Sequence, residues 1–242
     1  MIFKKTRVKI SKVLKVNWIK TIYFNFKKFP FQIAKKMPIV FYGKVKFQNI
    51  SGEISINAPI KFGMIGFGKP YEMNSVHQGT AEIMLTGKIV FKGHVQFGKD
   101  YFLFVSKTGF LEMGDMSSIA SNGKIICTKE IIFGAYARLG SECQVIDTNF
   151  HEMVDTLTNQ KYPVNAPIKI GNYNFISNRV TILSKTITPD YCTIASNSLC
   201  TKNYSLFGKN ILIGGIPAKL IKENISRNWV EEKDILDEFL KN

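Results

Sequence analysis

The sequence predicts an all-β chain, a left-handed parallel β-helix of hexapeptide repeats with a basic helical segment before it and a capping helix after it. Three observations predict this. From Ile170 onward every sixth residue is Ile170, Ile176, Ile182, Thr188, Ile194 and Cys200, aliphatic or small throughout. The same spacing recurs in other phases at Met113, Ile119 and Ile125, and at Phe133, Leu139 and Val145. Between these positions lie short β-branched runs broken by Gly, Asn, Asp and Ser, with no long helical pattern.

A period of six is the period of neither a strand nor a helix. One unit supplies a short strand and a corner, and three units complete a coil. The sixth-residue side chain points inward onto its equivalents three units away, so stacked coils share a core that none could bury alone. Such a coil runs against the usual right-handed crossover preference and therefore needs a strict repeat to specify it. This domain is placed at 40–222. Gly98, Gly134 and Gly140 follow inward residues and are expected to turn the corners at positive φ. The register breaks over 148–167, which reads as a loop leaving the coil.

Residues 1–39 read as a basic, partly helical arm. Ile10, Val13, Leu14, Trp18 and Ile22 approximate a helical stripe, Lys9, Lys12, Lys15 and Lys20 lie between them, and Pro30 and Pro38 stop any long helix. Thirteen of the 33 Lys and Arg residues precede Glu53, the first carboxylate, so the arm and its neighbourhood carry most of the net charge of +15. Two readings stand open: a helix resting on an anionic bilayer surface through Lys4, Lys5, Lys9 and Lys12, or a helix packed on the main domain. No small-residue cleavage site follows Ile10–Ile22, and no run approaches 18 uncharged apolar residues. The expectation is a cytoplasmic protein, at the inner membrane face on the first reading. Residues 223–242 read as an amphipathic helix through Ile225, Trp229, Ile235, Leu236, Phe239 and Leu240, capping the open end of the coil. Cys127, Cys143, Cys192 and Cys200 show no CxxC spacing and read as reduced thiols, Cys143 and Cys192 at core positions of the repeat.

Two segments carry a family resemblance. Ile213–Lys222 (IGGIPAKLIK) resembles the closing motif of hexapeptide-repeat acetyltransferases, and Ala137–His151 (ARLGSECQVIDTNFH) resembles a segment of their sugar O-acetyltransferase branch. That branch modifies capsule, exopolysaccharide and lipopolysaccharide sugars. The resemblance covers about 113–222. Asn149 replaces the second Asp of the usual DxDxH run, Ile216 replaces the usual Asn, and Phe175 stands where many members have Trp.

The resemblance implies direct acetyl transfer from acetyl-CoA to a sugar hydroxyl. Removing the alcohol's proton as the C–O bond forms suits a neutral imidazole, and His151 is the candidate base. Asp147 is the candidate orienting partner, with Asn149 and Glu152 on the acceptor side. The resemblance also implies that CoA lies along Gly214, Gly215, Pro217, Ala218 and Lys219, with Lys219 and Lys222 facing its phosphates. On the residues alone, Gly215 and Pro217 fit a plain chain reversal equally well. A homotrimer with active sites between subunits is implied too, while the three histidines, without ligand spacing, lead to the expectation of no metal. Three alternatives remain: N-acetylation of an amino sugar, small amine or antibiotic; a non-catalytic β-helix scaffold; and nucleic-acid binding by the basic arm, which lacks any reader motif. His77 and His94 have no ligand spacing, and Gly66, Gly68 and Lys69 lack the strand–loop–helix context of a phosphate loop.

Overall fold

The computed structural model describes residues 15–69 and 79–241 and is a left-handed parallel β-helix with three faces. The faces are sheets of nine, seven and five strands. On the nine-stranded face one inward column runs in register through Phe41, Phe67, Phe97, Ile119, Leu139, Ile176, Ile194 and Ile213. The six-residue period holds strictly only in the last coils, where Ile176 pairs with Ile194 and Ile182 with Cys200, each 18 positions on. Earlier coils are longer: Lys88 pairs with Phe110, 22 positions on, and Val45 with Ala81, 36 positions on. These coils are filled by larger side chains. The rings of Phe41, Phe67 and Phe97 stack at 5.1 and 4.4 Å between centroids, an offset aromatic column that fills space as dense aliphatic packing does lower down.

The corners differ from expectation. None of Gly98, Gly134 and Gly140 has positive φ. They are small because adjacent coils nearly touch: a Cβ on Gly134 would lie 2.6 Å from the backbone of Gly171 and Asn172. The left-handed conformation falls instead to the residue three after an inward position, namely Met116, Tyr136, Tyr173 and Tyr191, with φ of 53–61°. The three tyrosines form a ladder up one corner, with ring centroids 5.0 and 4.9 Å apart and planes within 10°. Mutual stacking offsets the roughly 1–2 kcal/mol that each left-handed non-glycine residue costs.

At the N-terminal end, helix α1 (Trp18–Lys28) and a short helix α2 (Phe31–Ala34) meet at Pro30. Of the two readings of the apolar stripe, packing on the main domain through Trp18 and Ile22 is not what the structure holds. Trp18 and Ile22 face outward, and the buried face is Thr21, Phe24 and Asn25. The reason lies in the edge strand Ile39–Phe41, whose outer backbone groups would otherwise be unpaired. Asn25 donates to the carbonyls of Thr21 (2.8 Å) and Ile39 (2.7 Å) and accepts from the Ile39 amide, while Thr21 Oγ1 accepts from the Phe41 amide. Lys28 donates to the carbonyls of Ile50 and Gly52 on the next face, and burial lowers its pKa. Helix α1 thus closes the solenoid with polar groups. Lys4, Lys5, Lys9, Ile10, Lys12, Val13, Leu14 and His77 lie outside the described residues, as do the side chains of Phe239 and Leu240.

At the other end, Ile211–Gly215 pairs with Ala218–Glu223 as an antiparallel hairpin that finishes the nine-stranded sheet. Helix α3 (Trp229–Lys241) does not cap this end, contrary to expectation. It lies along the flank, Trp229 packing edge-on against Tyr136 and Tyr173 and Tyr136 donating to Asp237 at 2.6 Å. The tyrosine ladder offers an apolar strip for Trp229 to cover. Among the described residues no helix is long and apolar enough to cross a membrane.

Candidate active site at the solenoid corners

The break at 148–167 is an arm built as a β-hairpin. Met153–Val154 pairs antiparallel with Lys161–Tyr162, and Asp155 caps the tip by accepting from the amides of Leu157 and Thr158. Its neck is zipped by bonds from the Asn149 amide to Val164 and from the Ala166 amide to Asp147. His151 stands exposed just beyond the neck, beside Phe150, whose own φ of 59° turns the chain. Phe150, Met153, Val154, Leu157 and Tyr162 are all exposed along this arm.

Asp147 is fully buried and does not bond His151. Its carboxylate accepts from the Thr128 amide and hydroxyl and from the Lys129 and Glu130 amides, at 2.7–3.0 Å. The direct contact with His151 expected from the sequence is therefore not made; the carboxylate is committed to the preceding coil. Thr128 Oγ1 in turn accepts from Asn165 at 3.3 Å, so one buried carboxylate ties both ends of the neck to the preceding coil. Glu152 is paired with Lys161 at 2.9 Å, across the hairpin, and both are exposed. The Asn149 side chain is exposed beside His151.

The segment Gly214–Lys222 lies elsewhere. Gly215 (φ 103°) and Pro217 form the tip of the closing hairpin, and a Cβ on Gly214 would meet Ala195 and Ile221 side chains at 2.8 Å. The two glycines and the proline thus have a sufficient local reason, the chain reversal that the residues alone also allowed. Ala218 is buried, while Lys219 and Lys222 are exposed on the returning strand.

Sequence reasoning missed a cavity of about 480 Å³ on the nine-stranded face above this hairpin, lined among others by Ser118, Arg138, Ser141, Phe175, Asn178 and Arg227. Helix α3 walls it on one side through Leu236. The Arg227 guanidinium sits between rings, 5.3 Å from the Phe175 centroid and 4.9 Å from Trp229, and is paired with Glu232. A corner column connects cavity and hairpin: Arg179 donates its amide to Ser141, Asn197 to Asn178, and the Gly215 amide to Ser198. The available signal was the recurrence of Tyr or Met three residues after Met113, Phe133, Ile170 and Thr188, which marks the corner where an aromatic such as Trp229 docks.

A second, smaller cavity lies at the ladder corner among Asn57, Lys61, Lys92, His94 and Asp115. Among the described residues no group of three or more His, Cys, Asp or Glu is placed to hold a metal ion. All four cysteines are buried and free, Cys143 and Cys192 inside the coil as expected. Burial is the main cause that pushes the Cys143 thiol up to about 11 and those of Cys192 and Cys200 up to about 12, so none is a ready nucleophile at neutral pH.

No protein-family profile and no curated protein matches the chain. Among solved structures it is similar to the polySia-specific acetyltransferase NeuO, at 17% identity over 78% of each chain with a TM-score of 0.47. It is also similar to the polysialic acid O-acetyltransferase OatWY, at 17% identity over 81% of this chain and 99% of that one, TM-score 0.37. A third is a variant of AntD, an N-acyltransferase from Bacillus cereus in complex with dTDP-4-amino-4,6-dideoxyglucose and coenzyme A. There the identity is 14% over 84% of this chain and 88% of that one, with a TM-score of 0.40.

Proposed function

We propose that the chain is an acetyl-CoA-dependent O-acetyltransferase acting on a sugar or polysaccharide precursor, of capsule, exopolysaccharide or lipopolysaccharide, with His151 as general base. The observation that carries this is the ARLGSECQVIDTNFH segment, which ends at an exposed imidazole on an arm anchored by a buried carboxylate. A base held on a rigid scaffold by a short neck is what proton transfer requires. The acceptor hydroxyl gives its proton to the imidazole as its oxygen attacks the thioester carbon. The tetrahedral intermediate collapses with C–S cleavage, and the imidazolium returns the proton to the departing CoA thiolate. Asn149 and Glu152 flank the acceptor, and Asp147 acts as a positioning residue through Thr128.

In this reading acetyl-CoA lies along the column from the Arg138–Arg227 cavity down to Gly214, Gly215, Pro217, Ala218 and Lys219. Arg227, Lys219 and Lys222 supply cations for its phosphates. Ser141 lies in the turn before the strand Gln144–Ile146 and Asp147 directly after it, at opposite ends of one solenoid face. One copy therefore holds base and cofactor groove at different corners, and the two meet between copies of a closed homotrimer. The exposed apolar residues of the arm supply the contact.

The test is CoA release from acetyl-CoA with a panel of sugars and amines, wild type against His151→Ala. Release that requires a sugar hydroxyl and is lost in the variant supports the reading. Release with amines alone favours N-transfer to an amino sugar or small amine. No acetyl-CoA binding and no release with any acceptor leaves the scaffold reading.

A further inference from the structure

Helix α1 packs one face on the solenoid edge and turns an apolar face outward to solvent. Trp18, Ile19, Ile22, Tyr23 and Phe26 fall at i, i+1, i+4, i+5 and i+8, a single stripe turned away from Thr21, Phe24 and Asn25. Ile19 is 82% exposed and Phe26 45%. The patch continues beyond the helix. Phe62, 63% exposed, stacks on Trp18 at 6.5 Å, and Phe31, 65% exposed, packs on Phe26 at 6.0 Å. Solitary exposed apolar side chains are ordinary, but a contiguous aromatic patch is not.

The charges around this patch have one sign. Lys20 and Lys27 follow the apolar stripe around the helix, Lys35 and Lys36 follow α2, and no Asp or Glu occurs before Glu53. We propose that this outward face is a docking surface for an anionic lipid bilayer, the aromatic rings lying at headgroup depth and the lysines facing lipid phosphates. A second copy of the chain is a poorer occupant, because two such faces would bring like charges together. The helix does not need the bilayer in order to fold, since its other face is already committed through Asn25 and Thr21. The surface is independent of the acyl-transfer reading and rests on no residue of that site.

The experiment is co-sedimentation of the full chain with phosphatidylcholine vesicles, with and without phosphatidylglycerol. Binding is expected only to the anionic vesicles and is expected to weaken with added salt. The triple variant Ile19→Ser, Ile22→Ser, Phe26→Ser should partition more weakly by on the order of tenfold or more, the loss expected from removing buried apolar side chains. Its Tm should fall by only a few degrees, since none of the three side chains belongs to the buried core. Leu206→Ser, an exposed apolar side chain at the other end of the coil, should bind as wild type does. Three results would overturn the proposal: equal binding to neutral vesicles, undiminished binding by the triple variant, or a dimer that depends on this patch in place of vesicle binding.

Discussion

Asp147 and Thr128, one coil apart, are bonded twice: the carboxylate accepts from the Thr128 amide at 2.8 Å and from its hydroxyl at 2.9 Å. Because the same carboxylate also takes the amides of Lys129 and Glu130, removing it deprives four part-buried donors of their acceptor. Asp147→Ala is expected to cost about 3–5 kcal/mol, the range for breaking a buried charged network. Asp147→Asn should cost less, since one acceptor oxygen survives. In both variants hydrogen exchange should speed up first at the neck, around Asn149 and Ala166. Unchanged protection there in Asp147→Ala would detach the arm's position from this carboxylate.

Asn25 closes the edge of the strand Ile39–Phe41 with two side-chain hydrogen bonds to Ile39, and makes a third to Thr21 in its own helix. Asn25→Leu matches its size but leaves the Ile39 amide and carbonyl unpaired, so a destabilisation of about 2–4 kcal/mol is expected. Denaturant unfolding measures the loss, and light scattering should detect edge-to-edge association of the uncapped strand.

The tyrosine ladder predicts how α3 is held. Trp229→Ala should release the helix from Tyr136 and Tyr173 at a cost of about 3 kcal/mol or more, seen as protease cleavage within α3 while the coil stays intact. Tyr136→Phe removes only the bond to Asp237 and should cost about 1–2 kcal/mol.

The thiols predict an alkaline limit. Cys143, Cys192 and Cys200 are raised from an ordinary 9.0 to about 11, 12 and 12. A raised thiol holds its proton in the folded state, so its contribution is complete below the unfolded value of 9.0. It is lost as pH climbs from there toward 11–12, where the unfolded chain ionises and the folded one does not. Native protein should therefore resist iodoacetamide under mildly alkaline conditions and label only on unfolding. Rapid labelling of the native chain would contradict the buried positions.

The repeat was legible where the coils are shortest. Ile170 to Cys200 shows it because nothing is inserted at those corners, so residues 18 apart coincide in space. The earlier coils hid it, since the interval from Val45 to Ala81 carries extra chain and the interior turns to Phe. Apolar periodicity marked the outward stripe of α1 and gave no sign of its packed face, where Thr21 and Asn25 bond backbone at the sheet edge beside Phe24. It likewise gave α3 the end of the coil, when only a ladder of stacked tyrosines shows where a helix can dock. The arm that carries an exposed His151 was readable from the broken register. The cavity was not, since Arg138, Phe175 and Arg227 meet only after coils of unequal length have stacked.

The central claim is that a base on one copy serves a cofactor groove on another, and mixed subunits test it most directly. His151→Ala and Arg138→Glu chains, each expected to be inactive alone, are co-expressed and assayed for sugar-dependent CoA release. The account predicts recovery to about a quarter of the wild-type rate, the share of interfaces in a random one-to-one mixture that join an intact base to an intact groove. No recovery, with both chains shown to be in the same oligomers, would contradict it.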